Sequence, residues 1–397
     1  MHKRADIESR EDAWLAPYAM RSRESWGRQF PEKDHDGRTA FQRDRDRVIH
    51  CEAFRKLEYK TQVFVIFESD YYRTRLTHTI EVAQLARTIG RNLGLNEDLI
   101  EAVALAHDLG HSPFGHAGEE LLDARLRSVG IGGFNHNQRS FEIVTRFEKR
   151  YPDFHGLNLT AEVLVGILKH ESLYDRIGDP AVLEDQSFAL KLRSCPCSLE
   201  AEVVDKADWL AYLNHDVDDG LTSGCITVED LNISALWREA VSRLRKPLPS
   251  CADPVFKYQV VKELIDMQVK DLLSATNERI ASQDIRSAAD LARAGKGLVD
   301  FSERMKADRG ELQKILNERV YHHWRVERMT SKAKRILNRL FDVYLDNPRQ
   351  LPYDIYDRRR SYSNQDLHGV ICNYLASMTD RAALDEYQRL FEPYEKV

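Results

Sequence analysis

From Asp44 onward, apolar side chains recur every three or four positions along nearly the whole chain. Val48, Ile49, Ala53, Phe54 and Leu57 fall at this spacing between Asp44 and Gln62. Ile80, Ala83, Leu85, Ala86, Ile89 and Leu93 form a second stripe, closed by Gly94. Leu99, Ala102, Val103, Leu105 and Ala106 form a third, opened by Asn96 as an N-cap with acidic residues in its first turn. The same period predicts helices over approximately 117–128, 138–150, 160–170, 199–216, 256–275, 310–344 and 364–378. The run Val63-Phe64-Val65-Ile66-Phe67 is short and isolated, which allows a short β-hairpin near 61–70 or a buried turn but no large sheet. The predicted fold class is therefore all-α. Pro17, Gly27, Pro31 and Gly37 make residues 1–43 an irregular arm, followed by a helical core over 44–230 and a helical C-terminal region over 231–397. Breaks are expected at Pro180, between Pro247 and Pro254, and between Pro348 and Pro352, and no internal repeat is visible.

The 397 residues suit two or three domains, or one large helical body, at about 100–200 residues per domain. A hydrophobic fraction of 42% supplies a sizeable core. The net charge of -6 conceals an arginine-rich start that includes Arg21, Arg23, Arg28, Arg38, Arg43, Arg45, Arg47 and Arg55. Such a bias suits an anionic ligand, a nucleic acid or a subunit contact, and equally an ordinary solvated surface. No signal peptide is visible and no apolar run approaches 18 residues, so a cytoplasmic location is expected, with no membrane partner. Of the six cysteines only Cys195-Pro-Cys197 are close together. They lack the two-residue gap and second pair of a zinc knuckle, so free thiols are expected.

Histidines and aspartates gather at the helix edges. His78 opens one stripe in RLTHT, His107 and Asp108 end another in ALAHDLGHSPFGHAGE, and Asp208 lies in DKADWLAYLNHDVDD. Imidazole and carboxylate ligands together suit a divalent transition ion, and four protein ligands leave room for water and substrate. A single helical histidine is usually a core or surface residue. Three of them, His107, His111 and His116, threaded by Gly110, Pro113 and Gly115, are an awkward way to build a core and a natural way to surround a metal and an anion.

These residues carry a resemblance. The pattern H…HD…D looks like the HD phosphohydrolase superfamily. Within it, RDRDRVIHCEAFRKLEYKTQVF at 43–64, RTRLTHTIEV at 73–82, HDLGHSPFGHAGE at 107–119, FNHNQRS at 134–140, ADWLAY at 207–212 with a following Asp216, and NYLASMTD at 373–380 resemble the deoxyguanosine-triphosphate triphosphohydrolase family. The resemblance implies an HD-domain helical bundle with additional C-terminal helices. The implied reaction cuts a deoxynucleoside triphosphate to nucleoside and inorganic triphosphate by water attack at the α-phosphorus. Its cofactor would be a divalent metal ion, Mg, Mn, Co or Ni, held by His78, His107, Asp108 and Asp208. His116 and Glu119, at i and i+3, would form a catalytic pair, with His136 near the same phosphate. Arg75, His111 and Lys169 would bind the triphosphate. Asp208, Tyr212 and Asp216, at i, i+4 and i+8, are expected on one side of a helix. Gln62 and Asp216 would bind the 3′-hydroxyl, while the Tyr212 ring fills the space a ribose 2′-hydroxyl needs. A homo-oligomer is implied, with a hexamer as the candidate form, and a nucleotide or single-stranded DNA as effector.

The chain departs from the family pattern in places. Ser112 replaces the second proline of GHPPFGH, which should leave the metal set untouched. Asn373 and Ser377 replace Asp and Gly of DYIAGMTD, far in sequence from the metal set, which puts subunit or regulatory contacts in question before chemistry. Tyr321, His322 and His323 are open between a base pocket, an effector site and core. Two rival readings remain: an HD phosphohydrolase acting on another nucleotide, and a nucleic-acid-binding regulator with a vestigial site.

Overall fold

A computed structural model describes residues 3–62, 73–171, 178–244, 254–358 and 366–396. The fold is all-α. Extended pairing among the described residues is limited to isolated bridges, one of which joins Thr61 to Thr74. The hairpin expected near 61–70 falls mostly on residues 63–70, outside the described residues. No helix among the described residues is long and apolar enough to cross a membrane.

Where the period is clean, helix ends follow local chemistry. Asn96 accepts the backbone N–H groups of Asp98 and Leu99 at 3.1 and 3.2 Å, opening the helix Glu97–Ala106. The helix Arg75–Asn92 starts with Thr74 accepting the Thr77 N–H, and the chain reverses at Gly94 with φ +68°. The arm expected to be irregular contains a helix, Arg4–Trp14, that buries no residue and carries an Arg4–Glu8 pair one turn apart. The stripe expected over 310–344 is not one helix. It divides into Glu303–Leu316, a π-helical turn Asn317–Tyr321, and Trp324–Asp346. An unforeseen helix, Asp380–Phe391, follows the expected one at Asp366–Ala376.

Among the described residues, apolar side chains collect in two cores. The larger packs Arg75–Asn92 against Glu97–Ala106 and the long helix Leu199–Ser223, and extends to Pro254–Ser282 and Glu303–Leu316. The smaller packs Phe114, Ala117, Leu122 and Leu126 against Leu337, Phe341, Ile371 and Leu375 of the C-terminal helices. Leu109 belongs to the first core and Phe114 to the second, so the histidine-rich loop between them bridges the two. Leu122 is fully buried, and each such side chain contributes about 1.5–3 kcal/mol, so the helix carrying His116 is firmly anchored.

Candidate metal centre and cleft

His78 lies in the first turns of Arg75–Asn92, His107 caps the end of Glu97–Ala106, and Asp208 sits midway along Leu199–Ser223. Packing of these three helices brings their polar atoms together inside the larger core. His78 Nε2 is 2.8 Å from Asp208 Oδ1, and His107 Nε2 is 3.8 Å from the same oxygen. Ligand atoms of His78, His107 and Asp208 all lie within 4.8 Å of one another, and all three residues are buried.

Donor and acceptor accounting shows what this trio can hold. His107 Nδ1 is 2.7 Å from the Ala104 carbonyl, which only accepts, so Nδ1 carries the hydrogen. In the neutral ring Nε2 then keeps a lone pair, and it is buried with no hydrogen-bond partner. His215 Nε2 faces the Glu81 carboxylate and donates to it, which makes His215 Nδ1 an acceptor. His78 Nδ1, 3.2 Å away, must donate to it. His78 Nε2 is thereby left against the Asp208 carboxylate. A single proton cannot serve both imidazoles and the carboxylate. A divalent cation can, and the Glu81–His215–His78 chain orients its ligand as outer partners of metal sites do.

Asp108 stands between this trio and a second group. Its Oδ1 is 3.4 Å from His107 Nε2 and 3.0 Å from His111 Nδ1, and its Oδ2 is 3.0 Å from Arg75 Nη1. Burial pushes the Asp108 carboxyl up, but His107, His111 and Arg75 together hold it well below the usual range. Asp108, His111 and His136 also offer ligand atoms within 4.8 Å of one another. The Arg75 guanidinium already neutralises Asp108 there, which disfavours a second cation. Burial and the Arg75 charge bring His111 down to about 3, so its ring is neutral at physiological pH.

Close backbone approach sets the position of His136. A Cβ on Gly110 would lie 2.2 Å from the His136 carbonyl oxygen and 2.3 Å from the Ser140 nitrogen. Glycine lets the helix His136–Glu142 dock on the turn, where Ser140 Oγ accepts the Gly110 N–H at 2.8 Å and donates to the His107 carbonyl at 2.7 Å. Gly110 is therefore needed for close contact. The His136 ring stacks on His111 with centroids 3.8 Å apart.

Glu119 has a partner, His136, that its spacing did not suggest. Its carboxylate accepts the ring Nδ1–H of His136 at 2.9 and 3.0 Å, and the His136 backbone N–H at 3.0 Å. The His136 helix brings both of these donors to one carboxylate. Burial pushes Glu119 up, while His136, with His111 and His116, brings it down to about 2.

Gln62, Arg75, His111, His116, His136 and Tyr212 line one cleft together with His78, Asp108 and Asp208. Gln62, His116 and Tyr212 also line a wider adjoining hollow bordered by Glu119, Tyr321 and His322. Two expected residues are not brought to the cleft. Lys169 Nζ donates to the Cys195 carbonyl at 2.6 Å, where the end of its helix turns the side chain away. Asp216 is buried and accepts the Tyr321 hydroxyl. At about 100° per residue, a side chain eight positions on is rotated by about 80°, so Asp216 leaves the side that Asp208 and Tyr212 share. His323 accepts the Arg325 N–H at 3.3 Å as a helix cap.

Sequence reasoning missed several neighbours. His170 lies with Nε2 3.7 Å from Asp208 Oδ2 and Nδ1 2.7 Å from Asp205 Oδ1. Burial opposes its charge, yet Asp205 and Asp208 raise it well above the ordinary histidine value. Its one signal in the sequence is adjacency to Lys169 in ILKHES. Arg309 reaches the cleft from the C-terminal region, anchored by Nη2 donating to the Trp209 carbonyl at 3.0 Å. No motif marks it.

With this geometry in view, similarity to known proteins is informative. A family model for the HD domain matches residues 75–213, and one for a phosphohydrolase-associated domain matches residues 299–389. A deoxyguanosinetriphosphate triphosphohydrolase-like protein of Geobacter sulfurreducens is 49% identical over 98% of each chain. Proteins with the same description from Caulobacter vibrioides and Bordetella pertussis are 44% and 46% identical, over 95% of this chain and 96% of theirs.

Proposed function

Because the chain belongs to the deoxyguanosinetriphosphate triphosphohydrolase-like family of HD-domain phosphohydrolases, we propose that it hydrolyses deoxynucleoside triphosphates to nucleoside and inorganic triphosphate. The observation that carries this reading is the buried trio of His78, His107 and Asp208, with an unpartnered His107 Nε2, opening on a cleft lined by Arg75, His111 and Arg309. His78, His107 and Asp208 would hold a divalent metal ion, with Asp108 as the fourth ligand. When bound, that ion supplies Lewis-acid polarisation of the phosphoryl group and an activated water.

The remaining steps belong to the chain's own side chains. Arg75 and Arg309 bind phosphate oxygens, with His111 beside them in the cleft. Glu119 holds the His136 Nδ1 hydrogen, which presents Nε2 to the reacting phosphate. His136 and His116 hold or pass the proton that the leaving 5′-oxygen takes up. Tyr212 lies in the cleft beside Gln62, and its ring leaves a 2′-hydroxyl unpaired, which favours the deoxy sugar. The assembly would be a homo-oligomer, and a nucleotide or single-stranded DNA would act as effector, both resting on the family likeness. A screen of all deoxy- and ribonucleoside triphosphates with Mg, Mn, Co and Ni tests the reading. It predicts metal-dependent release of inorganic triphosphate from deoxy substrates, and release of pyrophosphate instead would reject it.

A further inference from the structure

The 373–380 segment, remote in sequence from the metal set, touches the loops that carry the cleft residues at three places. Asp380 is buried at the start of Asp380–Phe391, and its Oδ1 accepts the Phe114 N–H at 2.8 Å. Its Oδ2 accepts the Thr61 N–H at 3.0 Å and also the Thr61 hydroxyl. Lys60 Nζ donates to the His111 carbonyl and, at 3.4 Å, to the Ala376 carbonyl. Arg139, on the His136 helix, donates to Asn373 Oδ1 at 2.5 Å and to the Asn373 carbonyl at 3.2 Å. Three bonds from Asp380 thus end one residue before Gln62 and two before His116.

Phe114 makes the need for such an anchor concrete. Its φ is +62°, a left-handed conformation that a non-glycine residue keeps only when its surroundings enforce it. The N–H of that residue is the one Asp380 binds. Thr61 is held on its other side by the bridge to Thr74, next to Arg75. Asp380 itself does not line the cleft.

We propose that Asp380 is a positioning residue, a clamp by which the C-terminal helices fix Gln62 and His116 relative to the metal ligands. The clamp rests on the hydrolase reading for its kinetic effect and on geometry alone for its effect on the loops. Asp380→Asn replaces one acceptor with a donor opposite N–H groups. It should lower kcat for dGTP by about tenfold to a hundredfold, as misplacement of reacting groups does. Bound metal per chain should not change. Tyr344→Phe removes the hydrogen bond to Glu386 inside the same helical group and supplies a control. It should lower the thermal midpoint yet leave kcat unchanged. Thr61→Val, which keeps the N–H and loses the hydroxyl, should give a smaller loss of kcat, and it reports on the clamp should Asp380→Asn not fold.

Amide exchange separates the two readings. Exchange at Phe114 and Thr61 should accelerate in Asp380→Asn and not in Tyr344→Phe, whether or not the protein turns over dGTP. Wild-type protein inactive on every nucleoside triphosphate, with that exchange difference present, would reject the hydrolase reading and support the clamp. Wild-type activity retained in full by Asp380→Asn and Thr61→Val, or equal exchange in Asp380→Asn and Tyr344→Phe, would overturn the clamp.

Discussion

Replacing Glu119 by glutamine removes one negative charge and little volume. Three contacts at 2.9–3.0 Å join the native carboxylate to the His136 ring and backbone. The change from an ordinary glutamate near 4.5 to about 2 corresponds to about 3 kcal/mol favouring the charged carboxylate, drawn from His136 first and from His111 and His116 after it. By reciprocity, the carboxylate favours a protonated His136. A neutral amide forfeits this, which would lower the basicity of His136 Nε2. If His136 handles the proton of the leaving oxygen, kcat should fall by about 10²-fold, within the usual span for acid–base assistance. Steady-state kinetics with dGTP, metal analysis and a thermal melt would be measured on the same preparation. Metal content should be unchanged because Glu119 touches none of His78, His107 or Asp208. A kcat within twofold of wild type, with metal and fold intact, would refute the role given to Glu119 and His136.

Four further outcomes follow from specific residues. Lys169→Ala should leave kcat and KM within about twofold, since its amine is spent on the Cys195 carbonyl. His170→Ala should weaken metal affinity about 10–100-fold in a chelator titration, as loss of an outer partner does. Tyr212→Ala should narrow the preference for dGTP over GTP, mainly by admitting the ribonucleotide, and an unchanged ratio in competition kinetics would place sugar selection elsewhere. Burial pushes the Glu162 carboxyl up to about 7, against hydrogen bonds from the Trp26 N–H and the Ser25 hydroxyl. Because the folded state holds that proton more tightly than the unfolded state, this group's contribution falls as pH rises from about 4.5 to about 7. Glu162→Gln should therefore flatten the decline in thermal midpoint over that window, and identical slopes in both proteins would show that Glu162 does not titrate there.

The helical class could be read from apolar spacing because a packed helix must show a 3.6-residue stripe to its neighbours. Asn96 and Gly94 marked their helix ends by local chemistry that needs no tertiary context. Asn317–Tyr321 was hidden because one π turn shifts the stripe without erasing it. The candidate trio of His78, His107 and Asp208 could be picked out by motif spelling, yet its neighbours Glu81 and His215 could not. Their roles depend on which helix faces which, and the same is true of Glu119. Its contact with His136 comes from docking at Gly110, which spacing along its own helix cannot announce. Asp216 is turned from the side of Asp208 by the accumulated rotation of a helix over two turns. Asp380 lies 266 positions from Phe114, and nothing local in NYLASMTD announces that contact.

Water attack at the α-phosphorus of a deoxynucleoside triphosphate is the step proposed for a centre built on His78, His107 and Asp208. Hydrolysis of dGTP in ¹⁸O-labelled water, followed by mass analysis of both products, reads that step. The label should appear in inorganic triphosphate, with unlabelled deoxyguanosine and no reaction in His107→Ala. Label in the nucleoside, or formation of a nucleoside monophosphate and pyrophosphate, would contradict it.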